Sequence, residues 1–314
     1  MHAPKSPALQ RHLGSAMASP LELIYEDHGA PHDEAWSAVL DAFGRVEDAC
    51  SRFRDQSALA TYLAAEGPST APAVLVEVLA AAYEAYRVTG GRFDPRVRSV
   101  LEAFGYDQNF AQMVEPDLQV APLPIVEPWE DPVLDRELCL LRPARASLDL
   151  GGIGKGAALE LARFQLRHEP MAGICAAGGD IVVVGDRPPV IPWSIGIEDP
   201  IPNSTDFVAT IGISEGASMT SSVRVRQWRS GGRPVHHLID PRTGQPGGGN
   251  LASVTVVGPD PVLAEVWSKA LFLEGPRHLE EAEARGLAVV SVDREGLVTW
   301  SSTMEPLLTW VRHQ

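Results

Sequence analysis

Cysteine is scarce, with only Cys50, Cys139 and Cys175 in 314 residues. Their irregular spacing excludes a disulfide framework and a thiolate zinc site, and each stands in an apolar setting that suits a small core side chain. Basic charge is also short: 26 Lys and Arg against 41 Asp and Glu leave a net charge of −15. Such a surface repels a nucleic-acid duplex unless a basic patch is segregated, and the cationic residues are scattered. Their densest group, Arg224, Arg226, Arg229 and Arg233, reads as a solvated strand edge or as a phosphate or partner contact. No apolar run approaches the roughly 20 residues of a membrane span. Residues 1–20 contain neither a hydrophobic signal core nor a lipid-attachment cysteine, so the expected location is cytoplasmic. Low-complexity linkers and internal repeats are missing too, which favours one domain over residues 1–314, with residues 1–13 expected to be disordered.

The 45% of hydrophobic residues supplies a sizeable core, and its patterning gives the elements. A strand is expected at Leu21 to Tyr25, then a helix whose Trp36, Val39, Leu40, Phe43, Val46 and Cys50 recur at helical spacing as a core stripe. A second helix, from about Pro72 to Arg87, has Pro near its start and Gly90 just past its end. Residues 107–146, rich in Pro, Asp and Glu, read as an irregular surface excursion. Beyond 147, short β-type runs (171–176, 181–184, 193–197, 207–213, 252–258, 287–292 and 297–301) alternate with helices at about 156–168 and 261–274. The fold class is α+β, a mixed α/β sandwich.

Three glycine- and aspartate-rich segments stand out: SLDLGGIGKGAALE at 147–160, AAGGDIVVVG at 176–185 and HHLIDPRTGQP at 236–246. In the first, a β-type run breaks at Gly151 and Gly152 and restarts as a helix after Lys155, so that backbone N–H groups and one ammonium can face an anion. Taken alone, such a turn equally serves to join a strand to a helix. In the third, His237 and Asp240 lie three residues apart and can face one cleft. Asp149 and Asp180, beside glycines, also suit plain turn formation.

The order and spacing of the three segments resemble the ApbE family of FAD:protein FMN transferases, whose flavin site uses Asp-Leu-Gly-Gly-Ile-x-Lys-Gly, Gly-Gly-Asp and His-x-Ile-Asp-Pro-x-Thr-Gly. The resemblance extends to Ala16-Met17-Ala18-Ser19, to Ser51–Leu59 and to Thr89-Gly-Gly-Arg-Phe93-Asp94-Pro95, and covers about residues 14 to 300. It implies a flavin transferase architecture of the T-fold type, FAD as substrate, and an acceptor flavoprotein carrying a Thr or Ser attachment site. It further implies that Met17, Phe93, Asp94, Asp149, Gly151, Gly152, Lys155, Gly179, Asp180, Thr220, Ser221 and His237 line the flavin cleft, with His237, Lys155 and Asp240 as the catalytic candidates. A flavin-binding protein without transferase activity, and a hydrolase splitting FAD into FMN and AMP, use the same cleft.

One departure concerns metal. The family places Asp and Thr one helical turn apart to hold Mg²⁺ together with a backbone carbonyl, here that of Gly154. This chain has Glu265 and Lys269 at those positions. Glutamate can still bind Mg²⁺, whereas a protonated lysine repels it. The alternatives are an ordinary i,i+4 ion pair and a lysine that takes over as countercharge to the flavin pyrophosphate.

Overall fold

The computed structural model describes residues 7–27, 29, 32–108, 124–125, 127–201 and 204–312. An eight-stranded antiparallel sheet runs in the spatial order Leu9–Ala16, Ser19–Glu26, Gly173–Ala177, Asp180–Val184, Ala217–Ser222, Leu251–Gly258, Ala288–Asp293 and Val298–Trp300. Helices Asp33–Cys50, Ala73–Val88, Gly154–Leu166 and Pro261–Glu274 form the core with one face, packing Phe43, Leu79, Leu159 and Phe272 with Leu21, Leu23, Val182, Met219 and Val254. On the other face lies a three-stranded sheet with Phe207–Ile213 between Trp193–Glu198 and Leu308–Val311. Its Ile195, Val208 and Ile211 cluster with Ile174, Val290 and Val292. The result is an α+β sandwich of helices, large sheet and small sheet. Leu251–Val256, covered on both faces, is buried without alternation, as expected for a central strand.

Several expectations are corrected. Within the segment assigned to disorder, Leu9–Leu13 belong to the edge strand Leu9–Ala16; residues 1–6 lie outside the described residues. That strand is mostly exposed, so no hydrophobic alternation marks it. Its register comes from a two-residue turn in which Met17 (φ 50°) and Ala18 (φ 54°) are both left-handed, the geometry that follows strand twist in tight hairpins. Trp36 caps this edge, and a Cβ on Gly14 would stand 2.9 Å from its ring. Leu40, placed in the core stripe, is 42% exposed. The 107–146 excursion contains two short strands, Val133–Asp135 and Leu140–Leu141, joined to Ser69–Thr70 and seated by the buried Leu141; residues 109–123 and 126 lie outside the described residues. Cys50 and Cys175 are buried as expected, but Cys139 is half-buried with φ 50°. No helix among the described residues is long and apolar enough to cross a membrane.

Candidate functional site

The site begins where the 147–160 segment meets the Pro261–Glu274 helix. Leu148 and Leu150 are buried anchors. Between them Asp149 takes the Gly151 N–H on Oδ1 at 2.7 Å, and its Oδ2 forms an ion pair with Arg52, whose Nε lies 2.8 Å away. Arg52 is a residue that sequence reasoning missed, although it lies inside the Ser51–Leu59 stretch that carries part of the resemblance. Its buried guanidinium also donates to the Tyr106 carbonyl at 2.7 Å and stacks on the Phe53 and Tyr106 rings. Asp149 is thus both turn-former and counterion to the buried Arg52 side chain.

The Gly154–Leu166 helix starts at Ile153 without a side-chain cap. Its first turn approaches the Pro261–Glu274 helix so closely that a Cβ on Gly156 would lie 2.8 Å from the Pro261 carbonyl oxygen and 2.9 Å from the Glu265 carboxylate. Glycine therefore permits the contact, and the Gly156 N–H donates to Glu265 Oε2 at 2.7 Å. A Cβ on Gly154 would meet the Met17 methyl at 3.0 Å, and one on Gly152 the Phe93 ring at 3.2 Å. Met17 and Phe93 therefore stand against the glycine turn.

Two lysine–carboxylate pairs flank this turn. Lys155 bonds Asp180, whose carboxylate is buried and also accepts the Thr220 N–H at 2.8 Å. Lys269 donates to Glu265 Oε1 at 3.0 Å. The Asp180–Val184 and Ala217–Ser222 strands supply the first pair's surroundings. Thr220 Oγ1 and Thr255 Oγ1 are 2.8 Å apart, as are Ser221 Oγ and Ser268 Oγ. Ser221 is buried, so it ties the sheet to the helix carrying Glu265 and Lys269. Gly179, at φ 93°, makes the turn before Asp180.

His237 Nδ1 lies 3.3 Å from the Arg226 carbonyl oxygen. That contact assigns the proton to Nδ1 and leaves the basic lone pair on Nε2. Desolvation, then the charges of Arg226 and Lys269, hold the imidazole well below its ordinary pKa. Two other candidates are differently engaged. Asp240 Oδ1 takes both the Arg242 N–H and its Nε at 2.9 Å, with Nη2 on Oδ2 at 2.9 Å. Asp94 holds Arg96 in the same way, at 2.9, 2.9 and 2.6 Å. Both are Asp-Pro-Arg turns in which the arginine folds back on the aspartate. Such charge-assisted clamps shape the loops and leave neither carboxylate as a ready base. Arg224, from the basic cluster, pairs with Glu198 and donates to the Ser204 carbonyl at 2.6 Å.

The residues expected to hold Mg²⁺ do not fit it. Mg²⁺ requires near-octahedral oxygen ligands, yet Glu265 is already satisfied by an amide and an ammonium. Among the described residues no group of three or more His, Cys, Asp and Glu side chains could hold a metal ion. Of the expected ligands, Glu265 has both oxygens engaged, and the Lys269 ammonium stands where a hydroxyl ligand is expected.

Next to the site, His236 is buried against Phe272, and its Nδ1 has no hydrogen-bond partner among the described residues. Burial, then the Arg294 charge, lower its pKa from 6.5 to about 4. Between those values the unfolded chain binds a proton that the folded one does not, so stability is complete above pH 6.5 and falls as pH drops towards 4. The loss from this group is about 3 kcal/mol over that window. His278, also lowered by burial, acts in the same direction. His236→Leu is expected to flatten the decline of the urea midpoint between neutral and acid pH; an unchanged decline would sink this account.

The antiparallel sandwich, with a glycine-entered helix whose first turn carries Lys155 and packs beside Lys269, defines an α+β protein. The chain belongs to the ApbE family, whose model matches residues 17–290. An FAD:protein FMN transferase of Escherichia coli K12 is 32% identical over 159 residues, 49% of this chain and 45% of that protein. The match therefore spans less than half of that relative's length. One from Haemophilus influenzae is 28% identical over 323 residues, 94% of this chain and 90% of the relative. Among solved structures, the ApbE protein of Thermotoga maritima superposes with a TM-score of 0.82 at 23% identity, over 98% of this chain and 100% of that one. Flavin transferase ApbE from Vibrio cholerae gives 0.76 at 21% identity, over 96% and 99%.

Proposed function

We propose that this chain is an FAD:protein FMN transferase that moves FMN from FAD to a Thr or Ser hydroxyl of an acceptor flavoprotein and releases AMP. The observation carrying this reading is the glycine turn itself, with the Lys269 stem against Gly152, Lys155 in the first turn of the helix that follows, and no side-chain cap on that helix. Both ammoniums start neutralised by carboxylates, so an arriving pyrophosphate meets preorganised donors rather than an unbalanced charge. Met17 and Phe93 give the turn an apolar wall suited to a flavin ring.

In the transfer, the acceptor hydroxyl oxygen bonds to the FMN phosphorus while the bond from that phosphorus to the AMP oxygen breaks. His237 Nε2 takes the hydroxyl proton, its lowered pKa leaving the ring unprotonated at pH 7. Lys155 and Lys269 offset charge on the phosphoryl oxygens. Asp180 and Glu265 position the two lysines, and the Asp94 and Asp240 clamps hold the surrounding loops. No step is routed through a divalent ion.

The test is incubation with FAD and a candidate acceptor, following AMP release and the acceptor's mass. A gain equal to FMN is expected. AMP without a mass gain identifies an FAD hydrolase, and FAD binding without AMP identifies a flavin-binding protein; either result displaces the transferase reading.

A further inference from the structure

The metal corner carries one inference more, which rests on the reading of the cleft as an FAD site. We propose that the Lys269 ammonium replaces a divalent cation as the fixed positive charge of the cleft, so that this chain captures FAD without Mg²⁺.

Three features of the corner carry it. Glu265 is 1% exposed, and a carboxylate that deep requires a cation. Lys269 supplies it from the same helix at 3.0 Å, while the Gly156 amide satisfies the other oxygen at 2.7 Å. The lysine is also held rather than loose. A Cβ on Gly152 would lie 3.4 Å from its Cε and 3.5 Å from its Cδ, so the alkyl stem runs along the glycine turn and leads the ammonium to the mouth of the Gly154–Leu166 helix. Its side chain is 17% exposed, so the ammonium can still add a bond to an incoming phosphate oxygen. An ion with two charges entering this corner would have to displace the ammonium from Glu265 or share one carboxylate with it, and the repulsion at that range opposes both.

The electrostatic consequence differs from that of a metal site. Glutamate plus ammonium sums to zero where glutamate plus a divalent ion sums to one positive charge. The pyrophosphate then meets no net charge from the pairs Lys155–Asp180 and Lys269–Glu265, only their ammonium ends as oriented donors, together with the helix N-terminus.

The experiment measures FAD affinity by flavin fluorescence, for the wild-type protein and for the double variant Glu265→Asp, Lys269→Thr, in excess EDTA and in excess Mg²⁺. Calorimetry with Mg²⁺ alone provides a second readout. The wild type is expected to bind FAD equally in both buffers and to give no heat with Mg²⁺. The double variant is expected to lose roughly tenfold or more in affinity in EDTA, the scale of one charge-assisted phosphate contact, and to regain it with Mg²⁺. Circular dichroism of the variant separates lost binding from lost folding, and the wild-type comparison stands without the variant. A wild-type affinity that rises tenfold with Mg²⁺, or Mg²⁺ heat from the wild type, overturns the inference. Failure to bind FAD in either buffer overturns the functional reading itself, and this inference with it.

Discussion

Lys155→Met is expected to lower FMN transfer by about two to four orders of magnitude, the effect of removing a preorganised charge from a phosphoryl transition state. It also carries a stability penalty that must be kept apart from the chemical one. Asp180 is 1% exposed. With its ammonium partner gone it keeps only the Thr220 amide at 2.8 Å, and an uncompensated buried carboxylate destabilises by about 3–5 kcal/mol. The companion Lys155→Met, Asp180→Asn removes the stranded charge and retains an oxygen for the Thr220 amide. The double variant is therefore expected to recover most of the melting temperature and none of the activity. Recovery of activity together with stability would mean that Lys155 merely holds the fold. Normal turnover in Lys155→Met alone would discard its role altogether.

How far the sequence could be read depends on how local each signal is. The Pro261–Glu274 helix announces itself with proline at its first position and Asp260 before it, and Asp260 Oδ1 indeed accepts the Val262 and Leu263 amides at 2.8 and 3.2 Å. Leu251–Gly258 is legible as an apolar run because both its faces are covered. Ala217–Ser222 is not: Ala-Ser-Met-Thr-Ser-Ser has no strand pattern, and its buried Ser221 and half-buried Thr220 hydroxyls find Ser268 and Thr255 on neighbouring elements. The short strands around Leu141 were hidden for the same reason, their pairing being with Ser69–Thr70 far along the chain.

The site divides along the same line. Lys155 at a glycine turn and Glu265 with Lys269 at i,i+4 were legible, since local spacing alone brings them together. That Lys155 would meet Asp180, or Arg52 meet Asp149, depends on tertiary approach. Asp94 and Asp240 show a purely local arrangement. Each precedes Pro-Arg, and the proline at the next position turns the arginine back onto the carboxylate. Both aspartates are thereby engaged with their own loops, and the repeated Asp-Pro-Arg tripeptide is the local sign of it.

His237 is where position and proton affinity decide the chemistry, and His237→Ala is expected to reduce turnover by about two to four orders of magnitude while changing FAD affinity little. Its Nδ1 faces the Arg226 carbonyl at 3.3 Å, so the alternative role is structural, a histidine that pins the loop. His237→Gln separates the two, because the amide can donate to the same carbonyl but cannot accept a proton. If the ring is the base, the glutamine variant is as slow as the alanine variant; glutamine retaining activity would assign the residue to loop anchoring. The pH profile supplies an independent check. Desolvation and the nearby Arg226 and Lys269 charges hold the imidazole well below 6.5, so its base form is already complete at neutral pH. The wild-type rate should therefore stay level through the ordinary histidine range and fall only at distinctly acid pH. Removing the Lys269 charge, as in Lys269→Met, takes away one of the lowering influences, and the acid limb should move upward in pH. An acid limb that does not move would show that the titrating group is not His237.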